Sequence, residues 1–131
     1  MARGLLFTRG AWEVAWADVR RAAPLEAVGA FVGRSGRVER AVPLPNVHPT
    51  PEVAYRADPR ALLGLLRGLE ASGEALLAFY HSHPKGLARP SETDRQEAYW
   101  NVPYVIFGLA EDRARAYLLP GGEEVPIRVE P

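Results

Sequence analysis

Cysteine is absent from the 131-residue sequence, which excludes disulfide scaffolds, thiolate zinc sites, thiol nucleophiles and iron–sulfur clusters. The chain also has no net charge, because 16 basic residues balance 16 acidic ones. Proteins that bind nucleic acid or a membrane surface need a cationic excess, so we expect neither kind of partner. Only three histidines occur, and any metal site must therefore be built from histidine, aspartate and glutamate.

Long hydrophobic runs are missing as well. No stretch approaches the roughly 18 apolar residues of a membrane span, and the apolar run at Leu5–Phe7 is too short for a signal peptide. We therefore expect a cytoplasmic protein. The length predicts a single domain over residues 1–131, since a domain typically has about 100–200 residues.

Apolar spacing and turn signals predict helices and strands in a mixed order. Asp58 before Pro59, for example, is typical of a helix N-terminus. Three stretches have the pattern of helices: residues 11–23, 58–72 and 91–100. Seven have the pattern of strands: residues 4–7, 26–32, 37–42, 75–79 (leading into 80–83), 104–109, 114–119 and 125–129. This order predicts an α/β (α+β) fold, with helices packed on a mixed sheet.

The strongest local feature is His81-Ser82-His83 at the end of a predicted buried strand. Alternate side chains of a strand share a face, so the two imidazoles are expected to converge on one ion, while Ser82 points away and is structural. A loop over residues 84–90 would bring Asp94, in the first turn of the next helix, beside them. Two imidazoles and one carboxylate suit zinc and leave a fourth position for water.

Each part of this pattern also has a purely structural interpretation. A histidine is more often packed or hydrogen-bonded than bound to a metal, and Ser91-x-x-Asp94 is an ordinary helix start. Manganese, cobalt or iron could use the same ligands. The remaining histidine, His48, lies in a proline-rich loop, and we expect it to be exposed and not a ligand. Tyr99 and Trp100 are expected to pack in or at the edge of the core.

Taken together, these residues resemble the signature of the JAMM (MPN-plus) metallopeptidases, His-Ser-His-Pro from His81 followed by Ser91 and Asp94. The family pattern adds an upstream glutamate, matched by Glu26, and often an asparagine before the second helix, matched by Asn46. The resemblance indicates a minimal prokaryotic member, because too few residues follow Asp94 for the insertions of the eukaryotic deubiquitinases. It implies a partly barrel-like mixed sheet flanked by helices, the cytidine-deaminase-like JAMM/MPN fold.

The resemblance also implies a role for each of these side chains. His81, His83 and Asp94 would bind one zinc ion per chain. Glu26 would take a proton from the zinc-activated water and pass it to the leaving amine, and Ser91 would stabilise the oxyanion. A zinc nucleoside deaminase has a similar fold but typically needs a pair of cysteines, so the absence of cysteine excludes it.

The activity implied by the resemblance is that of a metallopeptidase or isopeptidase. Its substrate would be the amide or isopeptide bond after the C-terminal glycine of a ubiquitin-like sulfur-carrier protein with a Gly-Gly tail. Two alternatives stay open: release of cysteine from a carrier adduct by the same chemistry, and a non-catalytic MPN scaffold. The chain could also pair as a homodimer.

Overall fold

The computed structural model describes residues 4–131, which form three helices and an eight-stranded sheet. The helices are α1 (Arg9–Ala22), α2 (Pro59–Ser72) and α3 (Glu92–Glu97). The strands are β1 (Leu5–Phe7), β2 (Val28–Arg34), β3 (Arg37–Leu44), β4 (Ala75–His83), β5 (Tyr104–Gly108), β6 (Arg113–Leu118), β7 (Glu123–Val125) and β8 (Ile127–Val129). Within these residues, none of the helices has the length and apolar character needed to cross a membrane.

Local capping chemistry sets the ends of the two long helices. The side chains of Thr8 and Asp58 accept hydrogen bonds from backbone N–H groups in the first turns of α1 and α2. These are donors that the helix itself leaves unpaired. Gly73 ends α2 with a left-handed backbone, at φ 77°, and its N–H donates to the Leu69 carbonyl. The predicted start and end of the second helix are thereby confirmed.

The sheet runs in the order β7-β6-β5-β4-β2-β3-β1-β8 and is mixed. Central strand β4 pairs parallel with β5 and antiparallel with β2. Strands β7 and β8 lie at opposite ends of this order, yet only Pro126 separates them along the chain. The two edges are therefore brought together, and the sheet is nearly closed. This confirms the predicted mixed, partly barrel-like sheet flanked by helices.

Apolar side chains fill both sides of the central strands. One cluster joins Phe7, Phe31 and Phe107 to the buried face of α1. The other joins Phe79 and Tyr104 to α2 and to the chain around residues 98–102. Because both clusters contain side chains of β4, this strand is held from each face, and its C-terminal end is a rigid support for the side chains that follow.

The third helix is shorter than predicted, since it ends at Glu97 and residues 98–103 are irregular. The backbone N–H groups of Tyr99 and Trp100 donate to the Tyr104 hydroxyl at 3.1 and 3.0 Å. A side chain from β5 thus takes donors that a longer helix would use, and helical spacing in the sequence does not reveal this competition.

Two predicted strands also need correction. The strand predicted over residues 125–129 is divided into β7 and β8, because Pro126 cannot donate to a ladder and its carbonyl instead accepts from the Leu5 N–H at 2.8 Å. The strand predicted from residue 26 starts at Val28. Glu26 lies just before it, with its N–H donating to the Pro51 carbonyl at 2.7 Å.

Candidate metal centre

Strand β4 delivers two histidines to one side of the sheet. The rings of His81 and His83 lie 5.1 Å apart between centroids. Ser82 faces the opposite side, where its hydroxyl accepts a hydrogen bond from the Ala27 N–H at 2.8 Å. The period-two expectation is therefore confirmed for all three side chains, and Ser82 ties β4 to the chain just ahead of β2.

The first turn of α3 brings a carboxylate to both histidines. Asp94 Oδ2 lies 3.2 Å from His81 Nε2 and 3.1 Å from His83 Nε2. A capping box fixes this carboxylate, because the Ser91 N–H donates to Oδ2 at 2.9 Å while the Ser91 hydroxyl accepts from the Asp94 N–H at 3.0 Å. One oxygen atom thus lies within 3.2 Å of two imidazole nitrogens.

The tautomer of His83 follows from its second contact. Its Nδ1 lies 2.9 Å from the Leu87 carbonyl oxygen, which can only accept, so Nδ1 carries the proton. In neutral His83 the lone pair is then on Nε2, facing the carboxylate of Asp94. Two electron-rich atoms at that distance require a proton or a cation between them. The site is thus built to hold positive charge.

The pKa values of these three side chains are set by burial and by the charges that face one another in the site. Burial lowers the pKa of His81 and outweighs the opposing effect of Asp94. Burial would lower the pKa of His83 too, but the hydrogen bond and charge of Asp94 raise it above its usual value. Burial would raise the pKa of Asp94, but the imidazoles of His81 and His83, at 3.2 and 3.1 Å from its Oδ2 atom, hold it well below its usual range.

His81 is fully buried, and neither of its ring nitrogens has a hydrogen-bond partner within residues 4–131. The ring stacks on Tyr55 at 4.3 Å between centroids and 21° between planes. Leaving buried polar atoms unpaired costs about 1–3 kcal/mol each. A divalent cation between His81 Nε2 and Asp94 Oδ2 would pair with the lone pairs of both atoms. The donor set therefore fits a zinc ion.

Glu26 completes the cluster from the segment just before β2. Its side chain is only 7% exposed, and its Oε1 atom has no hydrogen-bond partner in the described part of the chain. Ligand atoms of Glu26, His81 and His83 lie within 4.8 Å of one another. Burial, opposed in part by His83 and reinforced by Asp94, raises the pKa of Glu26 to about 7. A carboxyl that titrates near neutrality is suited to accept and return a proton.

The loop over residues 45–57 is organised by one asparagine. The Asn46 amide donates to the carbonyls of Glu26 and Ala54 at 2.9 and 3.1 Å. Its oxygen accepts from the N–H groups of His48 and Arg56, both at 3.0 Å. The sequence indicated Asn46 only through the family resemblance. The structure shows how this side chain holds the loop against the backbone of Glu26.

Four aromatic or histidine side chains near the site differ in their surroundings. His48 is half-buried, whereas we expected it to be exposed. Its Nδ1 atom accepts a hydrogen bond from the Thr50 N–H at 3.0 Å. Trp100 packs on Phe79 as expected, but Tyr99 is 85% exposed, so the packing predicted for it is wrong. The break after α3 turns Tyr99 away from the core. Tyr55, which stacks on His81, was missed because nothing in a loop sequence reveals such a contact.

The family model and the relatives that this chain matches agree with the resemblance indicated by its motif residues. A family model described as prokaryotic homologs of the JAB domain matches residues 8–119. A probable TtuB-protein conjugate cleaving protease of Thermus thermophilus is 56% identical over 125 residues, which are 95% of this chain and 82% of the relative. A desampylase of Haloferax volcanii is 35% identical over 111 residues, 82% of this chain and 80% of the relative. A CysO-cysteine peptidase of Mycobacterium tuberculosis is 39% identical, but the match covers only 60% of this chain and 54% of the relative.

Solved structures share the same architecture. A protein of Desulfitobacterium hafniense superposes with a TM-score of 0.86 and 32% identity, over 96% of this chain and 92% of that one. A JAB1/MPN domain protein of Archaeoglobus fulgidus superposes with a TM-score of 0.67 and 20% identity, over 97% and 98% of the two chains. The second likeness bears on the fold alone.

Proposed function

The chain belongs to the prokaryotic JAB family, and on that premise we propose that it is a zinc-dependent metallopeptidase or isopeptidase. Its reaction is hydrolysis of the amide or isopeptide bond after the C-terminal glycine of a ubiquitin-like sulfur-carrier protein. One zinc ion per chain, a carrier with a Gly-Gly tail and a cytoplasmic location belong to this proposal.

The observation that carries the proposal is the convergence of three ligand atoms beside a titratable carboxyl. His81 Nε2 and His83 Nε2 both lie within 3.2 Å of Asp94 Oδ2. Glu26 is next to them, with a buried oxygen that has no hydrogen-bond partner within residues 4–131. In a packed core, two buried electron-rich atoms that face a third would repel it and destabilise the fold. A metal site with an adjacent base requires this arrangement.

His81, His83 and Asp94 would hold the metal, which when bound would supply Lewis acidity and a nucleophile at neutral pH. The Leu87 carbonyl keeps the His83 proton on Nδ1, so that Nε2 presents its lone pair. The capping box holds the Asp94 carboxylate in place. With these three protein ligands, a bound zinc ion would keep a fourth position for water.

Glu26 acts as the general base in this proposal. Its Oε1 atom, which has no hydrogen-bond partner within residues 4–131, can take a proton from the attacking water and return it to the leaving amine nitrogen. Ser91 accepts one hydrogen bond as the N-cap of α3, and its own hydroxyl proton can be donated to the developing oxyanion. Bond cleavage thus needs one proton to move from water to Glu26 and on to the amine.

The relatives' names support a protein conjugate as substrate. The relatives matched over the greater share of their length are named as a conjugate cleaving protease and a desampylase, and each is matched over at least 80% of its length. The relative named as a CysO-cysteine peptidase is matched over 54% of its length. We therefore rank conjugate cleavage above release of cysteine from a carrier adduct.

Cleavage of a defined fusion tests the proposal. A ubiquitin-like carrier from the same genome is fused beyond its Gly-Gly to a reporter protein, and the products are identified by mass spectrometry. We expect a single cut after the second glycine, loss of cleavage with a chelator and recovery with zinc. Glu26→Gln should be inactive, whereas Glu52→Gln, at an exposed loop carboxylate, should cleave like the wild type.

The same assay separates the alternatives. A carrier that ends in cysteine directly after Gly-Gly, cleaved when the reporter fusion is not, would identify the cysteine-releasing activity. A chain that binds zinc but cleaves neither substrate would favour a non-catalytic scaffold. In that case Glu26→Gln should bind zinc as the wild type does.

A further inference from the structure

A single peptide group links the candidate metal centre to the turn between β5 and β6. Its carbonyl, from Leu87, accepts the hydrogen bond from His83 Nδ1 at 2.9 Å. Its N–H, from Ala88, donates to Glu111 Oε2 at 2.8 Å. Both polar atoms of this planar unit are therefore engaged, one by a histidine and the other by a carboxylate.

The residue that follows is held just as firmly. Ala88 is fully buried, and its carbonyl accepts a hydrogen bond from the Tyr117 hydroxyl at 2.5 Å. Gly108 of β5 lies directly against this segment, and a side chain at position 108 would overlap the backbone of Leu87 and Ala88. The loop after β4 has no regular secondary structure, yet its backbone is fixed at the point that meets His83.

We infer that Glu111 and Tyr117 are positioning residues for His83, acting through the Leu87–Ala88 peptide. Because a peptide group is rigid, the bond from the Ala88 N–H to Glu111 fixes the direction in which the Leu87 carbonyl points, and the bond from Tyr117 to the Ala88 carbonyl holds the next peptide group in place. That carbonyl sets the ring orientation and the tautomer of His83, and hence the direction of its Nε2 lone pair. A negative charge on the N–H side also polarises the peptide and strengthens the carbonyl as an acceptor.

The inference rests on the proposed function for one point, that His83 binds zinc. Partners that hydrogen-bond the second nitrogen of a ligating histidine typically change metal affinity by about 10–100-fold when removed. Here the partner is a main-chain carbonyl, which mutation cannot delete. Its support by Glu111 and Tyr117 can be deleted. In the sequence, Glu111 stands in a turn between two strands and carries no signal of such a role.

Substitutions at Glu111 give the sharpest test. Glu111→Ala removes the acceptor of the Ala88 N–H, whereas the side-chain carbonyl of Glu111→Gln can still accept that bond. Zinc affinity is measured by competition with a chromophoric chelator. We expect Glu111→Ala to lower affinity about tenfold or more and Glu111→Gln to recover most of the loss. Glu111 also lies 4.0 Å from Arg115, which Glu124 approaches at 3.9 Å. Glu124→Ala therefore controls for a lost charge beside Arg115 and should bind zinc like the wild type.

Tyr117→Phe is the second variant, and Tyr104→Phe is its matched control. The two tyrosines are direct partners across β5 and β6, both are buried, and each hydroxyl holds a loop. The Tyr104 hydroxyl holds residues 99–100, which form no hydrogen bond with His83. We expect similar thermal stability for the two metal-free variants and weaker zinc binding for Tyr117→Phe alone.

A direct readout is the ¹⁵N resonance of His83 Nδ1 in the metal-free protein. Glu111→Ala should shift this resonance and Glu111→Gln should largely restore it. Unchanged zinc affinity in both Glu111→Ala and Tyr117→Phe would overturn the inference, as would equal losses in Tyr104→Phe. If the wild type binds no zinc, the proposed function fails, and an unshifted His83 resonance in Glu111→Ala then overturns the inference independently.

Discussion

Burial of the Glu26 carboxyl makes the metal-free protein less stable as the pH rises. Its pKa in the folded chain is about 7, against an ordinary value of 4.5. Between these values the folded state keeps a proton that the unfolded chain has released, so the free energy of unfolding falls with increasing pH. The stabilisation is complete below about pH 4.5 and is lost as the pH passes through about 7.

The magnitude follows from the same interval. Each pH unit is worth about 1.4 kcal/mol, which sets an upper bound of about 3 kcal/mol for the whole window. Solvent screening around this carboxyl reduces the effect further, so we expect about 1–3 kcal/mol. Glu26→Gln stays neutral at every pH. It should match the wild type near pH 4.5 and exceed its stability by about 1–3 kcal/mol at pH 8.

Urea unfolding in the presence of a chelator, at several pH values from 4.5 to 8, measures this difference. Glu52→Gln should follow the wild-type curve, because its carboxylate is exposed on a nearby loop. Equal stability of Glu26→Gln and the wild type at pH 8 would refute the reasoning. A constant advantage at all pH values would refute it as well, because the effect could not then arise from titration of this group.

Three other substitutions test how the structure supports the site. Asn46→Ala removes four hydrogen bonds and should lower the free energy of unfolding by about 2–3 kcal/mol, measured by urea unfolding. Asn46→Asp keeps the two bonds that the side-chain oxygen accepts, so its stability should fall by less. An equal fall in stability for both variants would contradict the account. Gly29→Ala places a methyl group against the buried ring of Tyr80 and should cost about 1–3 kcal/mol, whereas a neutral result by the same assay would mean that the ring moves freely. Asp58→Ala removes the N-cap of α2 and should lower thermal stability by about 1 kcal/mol, with Asp58→Ser restoring most of it; an unchanged melting temperature in Asp58→Ala would show that the cap is not used.

The regular elements and the histidine pair were predictable because each depends on local signals. Apolar spacing defines the buried face of α1, and Asp58, Pro59 and Gly73 define the ends of α2. Alternation along β4 is enough to place His81 and His83 on one side of the sheet. These features are set by residues close together in the sequence, so a single sequence reveals them.

The parts that could not be predicted depend on contacts between distant segments. The early end of α3 depends on the Tyr104 hydroxyl, and the division between β7 and β8 depends on closure of the sheet around Pro126. The stacking of Tyr55 on His81 and the link from Glu111 to the Leu87–Ala88 peptide require the fold itself. Family resemblance indicated Glu26 and Asn46, but spacing alone would not have separated Glu26 from other carboxylates.

Zinc stoichiometry tests the central claim most directly. Protein purified in zinc-containing buffer and exchanged into metal-free buffer is analysed by elemental mass spectrometry, for the wild type and for His81→Ala, Asp94→Ala and His48→Ala. The account predicts one zinc ion per chain in the wild type and in His48→Ala, and well below stoichiometric zinc in the other two. A wild-type chain that holds no zinc, or a His48→Ala variant that loses as much zinc as Asp94→Ala, would contradict it.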